Sequence, residues 1–253
     1  MERPKDRDFI ETVEGLLFCV VGYLHPPDRY TAYLKYVPAP SGKWRRGETR
    51  YARAIPYYHV TQVENTYSLL RERYPEYLFS CPVRNITVSS VPHPRVETYY
   101  HPRSRLRSIL NTGAGDALEK KLIDLVTLLS DLAGLGVEDL GVTGSLLTGS
   151  HDVRFSDIDL TVYGLDASRR LKEALGEARK ADGAIWALGP GELEEWSRSR
   201  SRRFPLSRME LMIIAERRWN YGVYRGTYFS VHPVRTDGEI REIEVSGTMT
   251  RYL

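Results

Sequence analysis

Cysteine is nearly absent: Cys19 and Cys81 are the only two in 253 residues. They fall in different predicted strands. That excludes a disulfide framework and leaves the expectation of two buried thiols in a reducing cytoplasm. Histidine is also sparse. Its six copies, at 25, 59, 93, 101, 151 and 232, make no zinc spacing. No apolar run approaches the roughly 20 residues that cross a bilayer. The leading stretch MERPKDRDFIE is charged and has no signal-peptide core. A cytoplasmic protein with no membrane partner is expected. No Gly-Lys-Ser/Thr follows a glycine-rich loop, and Gly-x-Gly-x-x-Gly is missing, so neither a P-loop nor a dinucleotide fingerprint is present. Lysine is scarce too, seven against 29 arginines at a net charge of only +3. Arginine suits bidentate phosphate and carboxylate contacts. Genome composition or thermal adaptation accounts for the bias as readily as phosphate binding does.

The length allows a sizeable core and two domains. The expected fold class is α+β, with a small N-terminal α+β domain over residues 1–107 and a second domain over 108–253. In the first, Asp8 to Val13 is a short strand or lead-in. Gly15 to Leu24 and Arg29 to Val37 form a β-hairpin turned at His25-Pro26-Pro27-Asp28. Tyr30, Ala32, Leu34 and Tyr36 are expected on one face. Pro38 to Thr49 is read as a polar, basic loop. Thr61-x-x-Glu64 is a capping box opening a helix that runs to Pro75. Tyr77 to Cys81 and Ile86 to Val91 are two more strands. Pro92 to Arg107, with three prolines and Arg103, Arg105 and Arg107, is read as an extended linker. Twelve of the 17 tyrosines lie at or before Tyr100. Interleaved with arginines, they could stack on unpaired bases, or fill an apolar face with their hydroxyls wet.

In the second domain Asp116-x-x-Glu119 opens a helix. Its apolar stripe is Leu118, Leu122, Leu125, Val126, Leu129 and Leu132, and Gly134 ends it. Asp166 is expected to cap a helix over Ala167 to Ala181, and Gly191 to Trp196 to begin another. The basic run Ser197 to Arg203, SRSRSRR, is read either as a solvated loop or as a hold on a nucleic-acid backbone or triphosphate. Ser207-x-x-Glu210 is a further capping box. Tyr228 to Val234 and Ile240 to Val245 are strands turned at Thr236-Asp237-Gly238.

The chemistry concentrates in Gly141 to Gly164, GVTGSLLTGSHDVRFSDIDLTVYG. A short apolar strand ends at Gly144, which can turn without a side chain in the way. Ser145 opens a short helical stretch whose N–H groups suit phosphate oxygens. Eleven residues separate Ser145 from Asp157, which begins a strictly alternating strand. Ile158, Leu160 and Val162 face a core, while Asp157 and Asp159 share the other face. Two such carboxylates repel unless a cation lies between them, and hard oxygen ligands suit Mg²⁺.

An apolar residue, Gly144-Ser145, a spacer and Asp157-Ile158-Asp159-Leu160 together resemble the signature of the DNA-polymerase-β-like nucleotidyltransferase superfamily. The whole chain also resembles a group of prokaryotic predicted nucleotidyltransferases that carry a hairpin like Leu16 to Val37. The resemblance implies a mixed sheet flanked by helices and Mg²⁺-dependent transfer of an NMP from an NTP to an acceptor: RNA, protein or small molecule. It implies the triphosphate against Gly144 and Ser145, with Arg154 a nearby contact, and two Mg²⁺ on Asp157 and Asp159. It also implies a third carboxylate from a later strand. Tyr228 to Val234 contains no acid, and Glu244 is taken for that place ahead of Glu242, Glu192 and Glu210. The alternative is a non-catalytic nucleotide- or RNA-binding protein on the same fold. His151, Asp152 and Arg154 lie in the spacer, near any bound triphosphate, and are read as loop residues first and phosphate contacts second. Arg217, Arg218 and Arg225 are candidates for the acceptor side, and His232 is given a structural role.

Overall fold

Alternation of apolar and polar residues builds the first sheet. The structure, a computed structural model, describes residues 4–55, 60–180 and 183–240. In chain order the first part runs β1 (Phe9–Thr12), β2 (Leu17–Val20), β3 (Arg29–Pro38), β4 (Trp44–Arg46), β5 (Thr49–Arg53), α1 (Val60–Arg73), β6 (Leu78–Cys81), β7 (Ile86–Pro92) and β8 (Val96–Tyr100). The second part runs α2 (Pro102–Thr112), α3 (Ala117–Ala133), β9 (Leu140–Thr143), α4 (Gly144–Thr148), β10 (Ile158–Tyr163), α5 (Leu165–Ala178), β11 (Ile185–Trp186), α6 (Pro190–Ser201), α7 (Arg208–Arg217), β12 (Tyr221–Tyr224) and β13 (Thr227–Val234). This is an α+β protein of two compact units. One comprises the described residues up to Pro102, Leu147–Asp152 and those from Val234 on; the other comprises Arg103–Leu146 and Val153–Pro233. No helix among the described residues is long and apolar enough to cross a membrane.

In the first unit the strand order is β4-β5-β3-β2-β1-β8, with β7 pairing both β3 and β6. The expected hairpin forms between β2 and β3, but its register slips: Leu17 faces Tyr36 while Phe18 faces Leu34. Lys35 is the extra residue of a bulge, and a bulge reverses the faces beyond it. Ala32 and Leu34 therefore pack with Ile10, Phe18 and Val20. Tyr36 turns to the opposite face, with Phe9, Leu17, Cys19 and Tyr51. One face for all four β3 residues is thus corrected.

Two other stretches are more ordered than expected. The loop over 38–49 contains β4, paired with β5 and anchored by Trp44, whose ring lies 5.2 Å from that of Tyr36. The linker over 92–107 is replaced by β8, which pairs with β1, and by the start of α2. Pro102 is the first residue of α2, where its missing N–H costs no helical bond. The tyrosines fill the interior: Tyr36, Tyr51 and Tyr77 are fully buried. Their hydroxyls and those of the strand ends meet charged groups. Tyr99 donates to Asp8 at 2.6 Å, Tyr100 to Glu11 at 2.5 Å, Tyr77 to Glu14, and Tyr51 accepts from Arg46 at 2.9 Å. Both cysteines are buried and free.

The second unit is a sheet in the order β11-β12-β13-β10-β9 with helices packed on it. Ile158, Leu160 and Val162 of β10 are fully buried against α3 and α5 through Leu122, Leu125, Leu129 and Leu171. Each such leucine contributes roughly 1.5–3 kcal/mol of burial. Leu132, expected on the α3 stripe, is exposed, and Ala133 takes the buried place four residues after Leu129. Asp116 caps α3 by accepting from the N–H groups of Leu118 (2.8 Å) and Glu119 (2.9 Å), and Gly134 ends it at φ 61°. The Ser207–Glu210 box forms at α7. Helix α5 starts at Leu165 with Gly164 at the N-cap position, two residues earlier than Asp166 would set it. The basic run up to Ser201 is helical, as part of α6. The strand expected from Ile240 to Val245 lies beyond Ile240 outside the described residues, and the turn before it is a short 3-10 helix over Asp237–Glu239.

Two stability outcomes follow. Asp116→Ala removes the α3 cap and is expected to cost about 1 kcal/mol in urea unfolding. His25 accepts a hydrogen bond from Thr31 N–H at 3.0 Å; burial, helped by the Arg84 charge, pushes its imidazole down from 6.5 to about 4. The unfolded chain then binds the extra proton first. The stability from a neutral His25 is complete above about pH 6.5 and is lost as pH falls toward 4. Unfolding free energy measured at pH 7 and pH 5 should differ by on the order of 1 kcal/mol from this group, and His25→Gln should flatten that slope.

Candidate active site

Gly141 to Gly164 folds as its pattern requires. β9 and β10 pair antiparallel, with Asp159 opposite Thr143 and Leu160 opposite Val142. This register carries the end of β9, and so the Gly144-Ser145 turn, to the start of β10. Gly144 sits at φ +67°. A Cβ there would lie 2.7 Å from Asp159 Oδ2. The bare backbone is therefore what lets the turn lie against the carboxylate. Asp157 is exposed just ahead of β10, and Asp159 is about one-third exposed (37%). Thr161, next along that face, is completely buried. The acids thus occupy the open end of a strand otherwise covered on both sides. Ser145 is buried, and Arg154 is exposed in the loop before β10.

The other neighbour of β10 supplies the rest. Tyr228, Ser230 and His232 alternate along β13 and share its face. The Ser230 hydroxyl donates to Asp159 Oδ1 at 2.5 Å. His232 Nε2 lies 3.0 Å from Ser230 Oγ and 3.8 Å from Asp159 Oδ1. Since the one hydroxyl proton goes to Asp159, Nε2 must carry hydrogen and donate to Ser230. Burial raises the Tyr228 phenol above its ordinary value, the Arg218 charge and hydrogen bond oppose this, and the charges of Asp159 and Asp157 raise it further. Those charges place the phenol in the field of both acids.

The expected third carboxylate is not where β13 meets Asp159: a serine and a histidine stand there. Glu192 accepts from Gly189 N–H at 2.8 Å and caps α6. Glu210 caps α7 through the Ser207 N–H and hydroxyl, both at 2.8 Å. Neither points to the acids. Glu242 and Glu244 lie outside the described residues. Among the described residues no three His, Cys, Asp or Glu side chains converge as a metal site. The two aspartates suffice for Mg²⁺ of the kind that arrives with substrate phosphates and keeps several waters. Of the acceptor-side candidates, Arg218 joins the site through Tyr228, whereas Arg225 pairs with Asp124 at 2.6 Å. His232, given a structural role from sequence, belongs to the site. The missed signal is the period-two series Tyr228-x-Ser230-x-His232, a polar face on a strand searched only for acids.

The chain is 31% identical to Uncharacterized protein MJ1086 of Methanocaldococcus jannaschii over 242 residues, covering 93% of this chain and 69% of that protein. No family model matches it, and neither does any solved structure.

The close approach at Gly144 is testable against Gly149, which has the same φ of +67° but open space beyond its Cα. Both alanine substitutions strain the backbone by about 1 kcal/mol or more. Gly144→Ala is expected to cost more than Gly149→Ala in chemical denaturation, and adding Asp159→Ala should recover the excess.

Proposed function

The chain belongs to the family of the archaeal protein MJ1086, and we propose that it is a Mg²⁺-dependent nucleotidyltransferase with a DNA-polymerase-β-like catalytic unit. It transfers an NMP unit from an NTP to an acceptor hydroxyl. The observation that carries this reading is the Gly144 turn held against Asp159, with Asp157 two residues away at the same strand end. Gly144 and Ser145 receive the triphosphate, with Arg154 near the phosphates. Asp157 and Asp159 hold the metal. Bound Mg²⁺ would neutralise the phosphates and lower the pKa of the attacking hydroxyl. Ser230 fixes the Asp159 carboxylate by its hydrogen bond, and His232 fixes Ser230 in turn.

A second reading, a non-catalytic nucleotide- or RNA-binding protein on the same fold, draws on one observation: Ser230 and His232 occupy the place beside Asp159 where a third acid would complete the site. The two readings separate in one experiment. Purified protein with Mg²⁺ and each α-labelled NTP is offered RNA, protein and small-molecule pools. Label transfer is expected, and Asp157→Ala with Asp159→Ala should reduce it by at least ~10³-fold, as loss of transition-state charge stabilisation requires. If no NTP yields transfer while RNA is still bound, catalysis is refuted and the second reading stands.

A further inference from the structure

Arginines from three helix ends lie over aromatic rings in the second unit, two of them over the same ring. Tyr221 of β12 stacks on Tyr228 of β13, ring centroids 5.9 Å apart at 20°. Arg179, just past α5, and Arg218, just past α7, both lie over Tyr221, at 5.1 and 4.8 Å. Arg179 is held in place by donating to the carbonyls of Arg218 (3.2 Å) and Trp219 (2.8 Å). Arg200 of α6 covers Trp196 at 4.1 Å. Burial first, then the charges of Arg218 and Arg203, lower the Arg200 pKa. These cations therefore repel one another. Other arginines of this unit do have carboxylate partners: Arg198 and Arg208 share Glu194, and Arg225 pairs with Asp124. Arg179, Arg200 and Arg218 have no carboxylate partner among the described residues. Such a cluster is stabilised by an anion.

The stacked pair leads to the acids. Tyr228 lies two residues before Ser230 on the same face of β13, and Ser230 touches Asp159. We propose that Arg200, Arg218 and the part-exposed Tyr228, backed by the buried Tyr221, form the acceptor side of the site and bind the phosphodiester backbone of a single-stranded nucleic acid whose end lies at Asp157 and Asp159. Arginines alternating with aromatic rings suit a strand that offers both phosphates and base faces. A nucleoside triphosphate offers one base and one run of phosphates, and in the reading above those phosphates go to the Gly144-Ser145 turn. The position of the strand's end rests on the nucleotidyl-transfer reading; the binding itself does not.

The test is fluorescence anisotropy of a short labelled single-stranded RNA over a salt series, with unlabelled NTP as competitor. Wild type should bind at low salt with a linear log–log salt dependence. Arg200→Ala with Arg218→Ala should weaken binding at least ~10-fold and make the slope shallower by about 1.4, at about 0.7 per lost phosphate contact. Arg200→Lys with Arg218→Lys keeps the charges and should keep the slope, which covers the case in which the alanine pair fails to fold by circular dichroism. Label transfer from α-labelled NTP is followed on the same samples, so that RNA binding without transfer overturns the catalytic reading alone and transfer without RNA binding overturns the docking alone. Absence of wild-type binding at low salt overturns the proposal. So does a folded alanine pair with unchanged affinity and slope, a lysine pair that loses the slope, or an alanine pair in which NTP competition changes and RNA binding does not.

Discussion

The antiparallel pairing of β9 with β10 is the constraint on which the second unit depends. It sets Asp159 opposite Thr143 and so brings together two pieces of chain separated by the residues 144–158. The same pairing buries Leu140, Val142, Ile158, Leu160 and Val162 under α3 and α5. A slip of one residue would send the aliphatic side chains outward and the acids inward. Packing and chemistry thus require one register. The closeness they produce leaves no room for a side chain at 144, where a Cβ would meet Asp159 Oδ2.

The acids are balanced from the other side by β13. Ser230 brings a hydrogen-bond donor to Asp159, and His232 stands behind Ser230, where a further carboxylate would bring repulsion. Beyond them on the same face is Tyr228, whose phenol is raised by burial and by the charges of both acids and lowered by that of Arg218. Charge across this surface therefore changes sign over a few side chains, from the paired carboxylates to Arg218 and Arg200. Such an arrangement suits a substrate that brings metal-bound phosphate to one end and a polyanionic chain to the other.

Much of this was legible in local pattern. The α3 stripe, the Asp116 and Ser207 caps, the Gly134 terminator and the alternation of β10 are short-range features, and each formed. Elements that depend on distant partners were not legible. β4 is a polar three-residue strand held by β5 and by the Trp44–Tyr36 contact. β8 follows two prolines and becomes a strand by pairing with β1. The bulge at Lys35, which turns Tyr36 to the other face, is set by the register of β2 and appears nowhere in the pattern of β3.

The sequence by itself determined that two aspartates stand at the start of an alternating strand and that a glycine turn precedes them, because a strand's period of two and glycine's freedom at positive φ are local properties. It also determined the α+β class through helix and strand periodicities. Only the tertiary structure decided what stands beside those acids. Ser230, His232 and Tyr228 lie about 70 residues further along the chain, and their place next to Asp159 arises from the insertion of β10 between β9 and β13. Strand order is a long-range choice made by burial of the whole sheet, and no window of sequence contains it.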